Sequence, residues 1–369
     1  MAATDWLRRL GRVLRRLLAV LPAAPAAAAT LPADHAEALL HLYDGGGTRA
    51  SGPALLVRKN LMDKVSVSGT LYVDMVSNAS IDVVTSASPY RETRTAVDLG
   101  LDYAYRDAVI KLAVGNSSEP DYRARSLSLD VAQDFFGGTS TLNLGFTRGA
   151  DHVGKAGSSG FIDRATHWQY RLGLTQLLSP RWWASANLEL LADDGLLGSP
   201  YRVARLYGAA VPEKLPRTRS GRALRLAARG DESEGLHGVV HADYRYYWDT
   251  WGVHAHTLQA GWGRELGQGW TVETKVRLHR QTAALFFADD AAQSTRYLTR
   301  NRALDAFTGW GLGGTLRREL VRAAGDSRWW LNAGYEFRRH AYKNFTDLRT
   351  GQSYAQNAHV LQLHVTTDF

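Results

Sequence analysis

The chain of 369 residues contains no cysteine, and beyond its first 29 residues it contains no apolar run near the roughly 18 residues that mark a helical membrane span. The missing cysteines exclude a disulfide scaffold, thiol catalysis and a lipoprotein anchor. They also fit a chain that passes through an oxidising compartment. The missing apolar runs exclude helical spans over this part of the chain.

The excess of positive charge is also small once the charged residues are located. The formal charge is +8, but residues 1–29 hold five of the 44 basic residues and one of the 36 acidic residues. The remaining 340 residues therefore carry 39 basic and 35 acidic side chains. Such an excess over that length does not indicate a nucleic-acid-binding protein.

The first 29 residues have the organisation of a secretory signal peptide. A basic start at residues 8–16 is followed by an apolar stretch from Leu17 and by small residues at 27–29. Pro22 and Pro25 interrupt about 13 apolar residues, fewer than the roughly 20 that a spanning helix needs. We therefore expect a signal peptide over residues 1–29, cleaved close to Ala29, and an exported protein.

The next segment, residues 30–63, has no clear hydrophobic period. It holds a short apolar piece at 36–42 that resembles a helix, a three-glycine break at 45–47 and a polar stretch at 58–60. We expect this segment to form an N-terminal periplasmic arm or a plug inside a barrel.

From Lys64 onward the period becomes two, because apolar residues alternate with polar ones as in strands that face lipid on one side and water on the other. Such segments recur at residues 65–75, 93–105, 108–115, 123–133, 140–148, 166–177, 182–191, 218–228, 236–247, 253–263, 270–281, 305–316, 329–338 and 358–369. The chain also has 11 Trp and 16 Tyr, which gather at the two interfaces of membrane barrels. The sequence therefore predicts an all-β, transmembrane, antiparallel up-and-down β-barrel of about 14 strands over residues 64–369.

The connections between these strands alternate in length. Short, turn-rich connections lie at residues 106–107, 134–138, 178–181, 230–235, 265–269 and 321–328, and mostly long ones at 78–92, 149–165, 192–217, 282–304 and 340–357. Because outer-membrane barrels have short periplasmic turns and long extracellular loops, we expect both termini in the periplasm. The last strand ends at Phe369, which resembles the signal read by the barrel-assembly machinery. That machinery and the outer-membrane lipid are the expected partners.

Several segments resemble one bacterial family. They are ALLHLYDGGG (38–47), VRKNLMDKVSVSGTLYVDMVSNASIDVVTSASPYRETR (57–94), SSEPDYRARSLSLDVAQDFFGGTSTLNLGFT (117–147), DYRYYWDTWGVHAHT (243–257) and RLHRQTAALFF (277–287). On these segments the chain is similar to the domain-of-unknown-function family thirty-five-seventy, over nearly the whole mature chain. The resemblance implies an outer-membrane barrel without an assigned activity. It also implies an extracytoplasmic redox context with periplasmic redox partners, because members occur with periplasmic flavin-transfer or thioredoxin-like proteins. Secretion partners are the corresponding expectation for an export channel.

Charged residues occupy the polar face of many predicted strands. We expect thirteen of them to line the lumen: Asp74, Asp98, Asp102, Lys111, Asp130, Arg171, Glu189, Asp243, Arg245, Glu273, Lys275, Arg277 and Glu336. If they pair across neighbouring strands they brace a plugged interior, and if they stay solvated they line a pore and set its ion preference. Fourteen strands lie between barrels filled by side chains and open sixteen-stranded porins, so both interpretations stay open.

One cluster of aromatic and charged residues stands at the outer end of a predicted hairpin. It consists of Tyr244, Arg245, Tyr247, Trp248, Asp249 and Trp251. One interpretation is a sugar- or anion-binding rim, in which aromatic faces stack and Arg245 donates paired hydrogen bonds. The other, which we favour, is the aromatic girdle at the membrane interface.

The remaining side chains give no defined site. His254 and His256 share a strand face, as do His237 and His241, but one ion could reach either pair only with help from another strand, so we predict no metal and no cofactor. Ser and His are scattered without a nucleophile elbow, so we predict no catalytic residues. The leading hypothesis is a channel, for transport or export, with a charged lumen. The alternatives are a non-enzymatic structural or docking barrel for periplasmic or surface partners, and an outer-membrane hydrolase.

Overall fold

The structure is a computed structural model that describes residues 30–78, 90–155, 158, 160–232, 237–320 and 327–369. The expected signal peptide, residues 1–29, lies outside the described residues and stays a prediction. Within the described ranges, no helix is long and apolar enough to cross a membrane.

Sixteen strands form one closed antiparallel barrel. Their bounds are β1 His35–Gly45, β2 Thr48–Met62, β3 Val65–Asn78, β4 Tyr90–Tyr105, β5 Ala108–Ser118, β6 Tyr122–Phe135, β7 Ser140–Gly154, β8 Ile162–Ser179, β9 Trp182–Gly195, β12 Thr218–Glu232, β13 Gly238–Asp249, β14 His254–Gly267, β15 Trp270–Gln281, β16 Phe307–Leu320, β17 Arg328–Asp347 and β18 Gln352–Asp368. A separate hairpin, β10 Val203–Leu206 with β11 Ala209–Pro212, lies between β9 and β12 in the sequence. Those two wall strands pair directly with each other.

Pairing of the first strand with the last closes the barrel. His35 of β1 lies opposite Asp368 of β18, and β1 pairs with β2 on its other side. Gly46 and Gly47 connect β1 to β2 with φ angles of 59° and 79°, which glycine adopts without steric cost. Because each wall strand has two neighbours, the sheet has no open edge to leave backbone groups unpaired in lipid.

The prediction of an arm or plug at residues 30–63 is wrong, because residues 35–62 form β1 and β2 of the barrel wall. The apolar piece at 36–42 is part of a strand and not a helix. Leu40 and Leu42 are exposed on the outer face, whereas Leu39 lies on the inner face. An inward leucine interrupts the polar side of the alternation, and for this reason the period is hidden in the sequence.

The fourteen strands predicted beyond residue 64 are all present, as β3–β9 and β12–β18, and the barrel has sixteen because β1 and β2 add to them. Their outward apolar side chains form a belt around the barrel. Leu99, Leu112, Leu129, Leu144 and Leu172 in this belt are between 43% and 57% exposed. Such exposure is stable where the surrounding medium is lipid, as around outer-membrane barrels.

The two ends of the barrel differ in their connections. At one end, called the turn end below, His35 and Asp368 lie near both chain termini, and β4 joins β5 through residues 106–107 alone. At the other end, called the loop end, β9 is joined to β12 and β15 to β16 by long connections. The two longest described connections, 196–217 and 282–306, lie at the loop end as predicted, but the long connection predicted at 340–357 is wrong, because residues 348–351 alone join β17 to β18. The side of the membrane that each end faces stays a prediction.

Two loop-end connections, residues 196–217 and 282–306, pack together and are called the cap below. A backbone bridge joins Leu206 of the first to Ala291 of the second. A buried apolar cluster fills the contact between them. The cap is therefore a packed layer over the loop end and not a pair of independent loops.

Candidate functional site in the barrel interior

Two inward-facing charges on β6 and β8 meet across the strand that separates them. Asp130 accepts a hydrogen bond of 2.7 Å from Arg171, across Gly145 of β7. A Cβ atom at Gly145 would lie 2.3 Å from the Asp130 carboxylate and 2.6 Å from Arg171 Nε. The glycine therefore leaves the space in which the two side chains meet.

The same arrangement recurs on the opposite part of the wall. Lys275 of β15 lies 2.8 Å from Glu336 of β17, across Gly313 of β16. A Cβ atom at Gly313 would lie 2.8 Å from Lys275 Cε. Arg338 donates a second hydrogen bond, of 2.6 Å, to the same carboxylate. Glu336 therefore binds two cations, Lys275 on β15, two strands away, and Arg338 on its own strand.

Two further pairs involve predicted residues. Arg245 of β13 donates a hydrogen bond of 3.0 Å to Glu189 of β9, across β12. Arg225 of β12 is hydrogen-bonded to Asp243 of β13. These pairs tie three neighbouring strands together on the inner face.

Asp74 of β3 is the centre of another inward cluster. Its carboxylate is 2.6 Å from His41 Nε2 and accepts a hydrogen bond of 2.6 Å from Arg94. The ring of Tyr72 stacks on His41 at a centroid distance of 4.9 Å. Sequence reasoning missed His41, because its strand was assigned to the arm, and it missed Arg94, although the period of two places that residue on the face of Asp98.

The other predicted lumen residues lie on the same inner face: Asp98, Asp102, Lys111, Glu273 and Arg277. Asp102 and Lys111 are direct neighbours on β4 and β5. Glu273 lies 3.9 Å from His241. In the part of the chain that the structure describes, Arg277 makes no hydrogen bond or ion pair.

Exposure divides these interior charges into two groups. The side chains of Asp130, Lys275 and Glu273 are 41%, 36% and 49% exposed. Those of Asp74 and Glu336 are each only 9% exposed. The inner wall therefore combines covered ion pairs with charges that remain open to the interior space.

The charges are also unevenly distributed around the wall. On β1–β9 inward carboxylates outnumber inward Arg and Lys, whereas on β12–β18 the two kinds are nearly balanced. Arg225, Arg245, Arg277 and Arg338 lie in two adjacent rows of this second part. Neither Arg225 nor Arg338 was predicted, although Arg338 stands two positions after Glu336, a spacing that places both on one face.

The hypothesis of a single ligand rim is wrong, because the structure divides the predicted residues between two faces. Tyr244 and Trp248 lie on the outer face, and Arg245, Tyr247, Asp249 and Trp251 lie on the inner side. Trp251 is buried against the cap, and its Nε1 donates to the Thr218 carbonyl at 2.9 Å. The Asp249 carboxylate accepts hydrogen bonds of 2.8 Å from Tyr247 and from the Trp251 backbone. Alternate residues of a strand face opposite sides, so these six cannot bind one ligand together.

The histidines are divided in the same way. His254 and His256 lie on the outer face, where their Nδ1 atoms are hydrogen-bonded to Tyr246 at 2.9 Å and Tyr244 at 2.7 Å. His241 lies on the inner face. Ligands on opposite faces of a wall cannot share one ion.

Three carboxylates gather at the loop end. Oxygen atoms of Glu92, Glu119 and Asp121 all lie within 4.8 Å of one another, a spacing that a metal ion could bridge. Burial, and to a smaller extent the charge of Asp121, raises the pKa of Glu119 above its ordinary value. This group is therefore easier to protonate than an ordinary glutamate.

A buried carboxylate fixes the second connection of the cap to β17. Asp305 is fully buried and accepts hydrogen bonds of 2.6–3.0 Å from the backbone of Ala306, Asn344 and Phe345 and from the Asn344 side chain. The Arg300 guanidinium lies 4.0 Å from the centre of the Phe345 ring. The four hydrogen bonds to Asp305 satisfy its carboxylate within the protein.

The first connection of the cap is tied to the opposite side of the mouth. Arg217 donates two hydrogen bonds, of 2.8 and 2.7 Å, to the two oxygens of Asp163 on β8. Asp163 lies five residues beyond Trp168, towards the loop end, and outside the apolar belt. The hydrogen bonds from Arg217 lower the pKa of Asp163 to about 2. Tyr201 is hydrogen-bonded to Asp121 in the β5–β6 connection, which adds a second attachment.

Residues 22–348 match the family model described as "Protein of unknown function (DUF3570)". The chain belongs to this family. It is the family that the sequence segments resemble, so that resemblance is confirmed. No curated protein matches the chain significantly.

Solved structures resemble this family member in fold. A bacterial polysaccharide outer membrane secretin is 10% identical, with 92% of this chain and 100% of that chain covered at a TM-score of 0.50. A FadL homologue from Pseudomonas aeruginosa is 10% identical, with 92% and 91% covered at a TM-score of 0.46. At 10% identity the first likeness shows the fold alone, which is that of an outer-membrane β-barrel.

Proposed function

We propose that this protein is a non-enzymatic channel of the bacterial outer membrane, which passes a solute or an exported product through a lumen with charged walls. The observation that carries the proposal is the exposure of inward charges such as Asp130, Lys275 and Glu273. A barrel filled by side chains would cover these groups, and covering a charge without full pairing is costly. Exposed inward charges instead line a wet passage.

The small residues of the inner face support the same function. Gly145 and Gly313 lie at points where charged side chains meet across a strand, and Gly173 lies between Asn143 and Asn187. A filled barrel places bulky side chains at inward positions, whereas a barrel of sixteen strands is wide enough to hold an aqueous channel. The cap would then narrow the passage at the loop end.

The test is single-channel conductance of the purified mature protein in planar bilayers. We expect discrete steps, and steps that are lower in Gly145→Trp, because an inward indole takes up lumen space. The matched control is Leu144→Trp on the outer face, which should conduct like the wild type. A flat trace at the empty-bilayer baseline would contradict the channel.

A second candidate is a closed docking barrel, and the packed cap is the observation that favours it. A layer tied to both sides of the mouth would block passage and present a fixed surface. Surface proteins would be its partners at the cap, and periplasmic redox or secretion proteins would be its partners at the turn end. Conductance that stays absent even after the cap is released by Asp305→Ala would favour this candidate over the channel.

A further inference from the structure

The outer face of β6, β7 and β8 carries an unusual group of charges at the loop end. Every outward charged residue there is basic and exposed: Arg123, Arg125, Arg148, His152 and Arg164, called the basic ladder below. Their outward direction follows from the alternation, because Leu127, Leu144 and Leu172 on the same faces form part of the apolar belt.

The three members of the basic ladder that lie furthest from the apolar belt form one row across the strands. His152 of β7 lies directly opposite Arg123 of β6 on one side and Arg164 of β8 on the other. Side chains opposite each other in an antiparallel pair have Cβ atoms about 4.5–5.5 Å apart, so neighbouring members of this row can contact one ligand. Within the described residues none of the three forms an ion pair with a carboxylate. A negative charge that pairs with them therefore comes from outside the chain.

The height of the basic ladder indicates what supplies that charge. Arg148 marks the edge of the apolar belt, because its guanidinium lies 4.9 Å from the centre of the Trp168 ring, an arrangement typical of the membrane interface. His152 is four residues further along the same strand, which is about 13 Å of extended chain and, at a strand tilt of about 35–45°, about 10 Å along the membrane normal. A phospholipid headgroup layer is only about 5–7 Å thick. The ladder therefore extends beyond phospholipid phosphates, to the level of a lipid with a larger phosphorylated headgroup.

The turn end offers no comparable row on these strands. Outward arginines of the turn end lie on other strands, Arg264 on β14 and Arg318 on β16, and the Arg318 guanidinium lies 4.8 Å from the centre of the Trp270 ring. Arg264 pairs in register with Val272, so no second cation lies opposite it on that side. A basic ladder thus characterises the loop end.

We propose that the basic ladder binds the phosphate groups of a phosphorylated glycolipid in the leaflet around the loop end. Guanidinium groups suit this ligand, because their paired N–H donors match two phosphate oxygens and they remain charged at any physiological pH. His152, between two arginines, donates a further hydrogen bond. The basic ladder also orients the barrel, because its loop end must lie in the leaflet that holds this lipid.

The test measures binding of bisphosphorylated lipid A to the purified, detergent-solubilised barrel by native mass spectrometry. In the variant R123Q/R164Q we expect affinity to fall about 30-fold, from the usual contribution of two surface arginines to an anionic lipid. The matched control, R264Q/R318Q, removes two outward arginines at the turn end and should bind like the wild type. Heat-modifiable gel mobility confirms that each variant is folded, and R125Q/R148Q replaces the first variant if that one does not fold.

Unchanged lipid A affinity in both ladder variants would overturn the proposal, as would an equal loss in the turn-end control. Equal binding of lipid A and of its dephosphorylated form would also overturn it, because acyl chains alone would then make the contact. Inorganic phosphate serves as the remaining probe, and competition by millimolar phosphate as strong as that by lipid A would indicate a free-anion site instead.

Discussion

The two ends of this barrel are built from the same strands but differ in what holds them. At the turn end, adjacent strands are joined by connections as short as residues 106–107, so the wall itself fixes the chain. At the loop end, residues 196–217 and 282–306 leave the wall and return, and side chains must hold them. Main-chain hydrogen bonds therefore dominate one end, and buried or paired carboxylates such as Asp305 and Asp163 dominate the other.

This difference places the adjustable part of the molecule at the loop end. A two-residue turn cannot move without breaking backbone hydrogen bonds of the two strands that it joins. The cap can open by losing a few side-chain contacts. A gate for the proposed channel would therefore be located in the cap, and substitutions there should change conductance while the barrel remains closed.

The largest expected effect comes from Asp305→Ala. The change leaves three buried backbone N–H groups without an acceptor, and we expect the cap to open more easily by about 3 kcal/mol, or about 100-fold in its opening equilibrium. Limited proteolysis within residues 282–306 and single-channel conductance should both increase. The turn-end control is Asp134→Ala, which removes one hydrogen bond of 2.6 Å from Thr141. If the two variants behave alike, the cap is not held by Asp305.

The fold is largely predictable from the sequence, and its exceptions have identifiable causes. The segment predicted at 270–281 is β15 from end to end, because Val276 and Leu278 face lipid and alternate with charged residues. The alternation fails on β1, where Leu39 faces inward, and on β2, where Leu56 faces inward, and both strands were therefore missed. A two-residue period identifies a strand only when both of its faces keep their character.

The interior site is predictable by face but not by partner. The period of two places Lys275 and Glu336 on the inner side, but the pair joins β15 to β17 across Gly313. Such a contact depends on the register of three strands and on a missing side chain, and neither is encoded locally. The alternative of a ligand rim is wrong for the opposite reason, because the parity that separates Tyr244 from Arg245 is available in the sequence.

An intermediate effect is expected when pH changes between 7 and 5, and it should occur at the loop end and not at the turn end. At the loop end, the raised pKa of Glu119 means that the folded protein binds more protons than the unfolded chain. The stability of the folded loop end therefore increases as pH falls from 7 towards 4.5, the ordinary pKa of a glutamate. At the turn end, the hydrogen bond from Lys59 lowers the pKa of Asp34. That contribution is fully present above the ordinary value of 3.8 and is lost only below it.

Hydrogen exchange measured peptide by peptide checks this difference. After correction for the intrinsic rate, protection around residues 115–123 should rise from pH 7 to pH 5, while protection around the turn-end residues 34–37 and 57–60 should stay constant. Glu119→Gln should reduce the loop-end response and leave the turn end unchanged, while Glu92, whose pKa is also raised by burial, accounts for the remainder. A parallel rise at both ends would mean that the whole barrel responds to pH and that Glu119 is not the cause.

The smallest expected effect comes from Arg217→Gln, which removes both hydrogen bonds to Asp163. Because the Arg217 side chain is 60% exposed, water screens the pair, and we expect a loss of only about 0.5–1 kcal/mol in the attachment of the first cap connection. With the pKa of Asp163 lowered to about 2, the contact is fully present above pH 3.8 and disappears as pH falls through 2, so the loss should be the same at pH 7 and pH 5. Lys59→Gln breaks the corresponding exposed pair at the turn end. Proteolysis should then respond to Arg217→Gln but not to Lys59→Gln, because a weak side-chain contact matters only where the chain has left the wall.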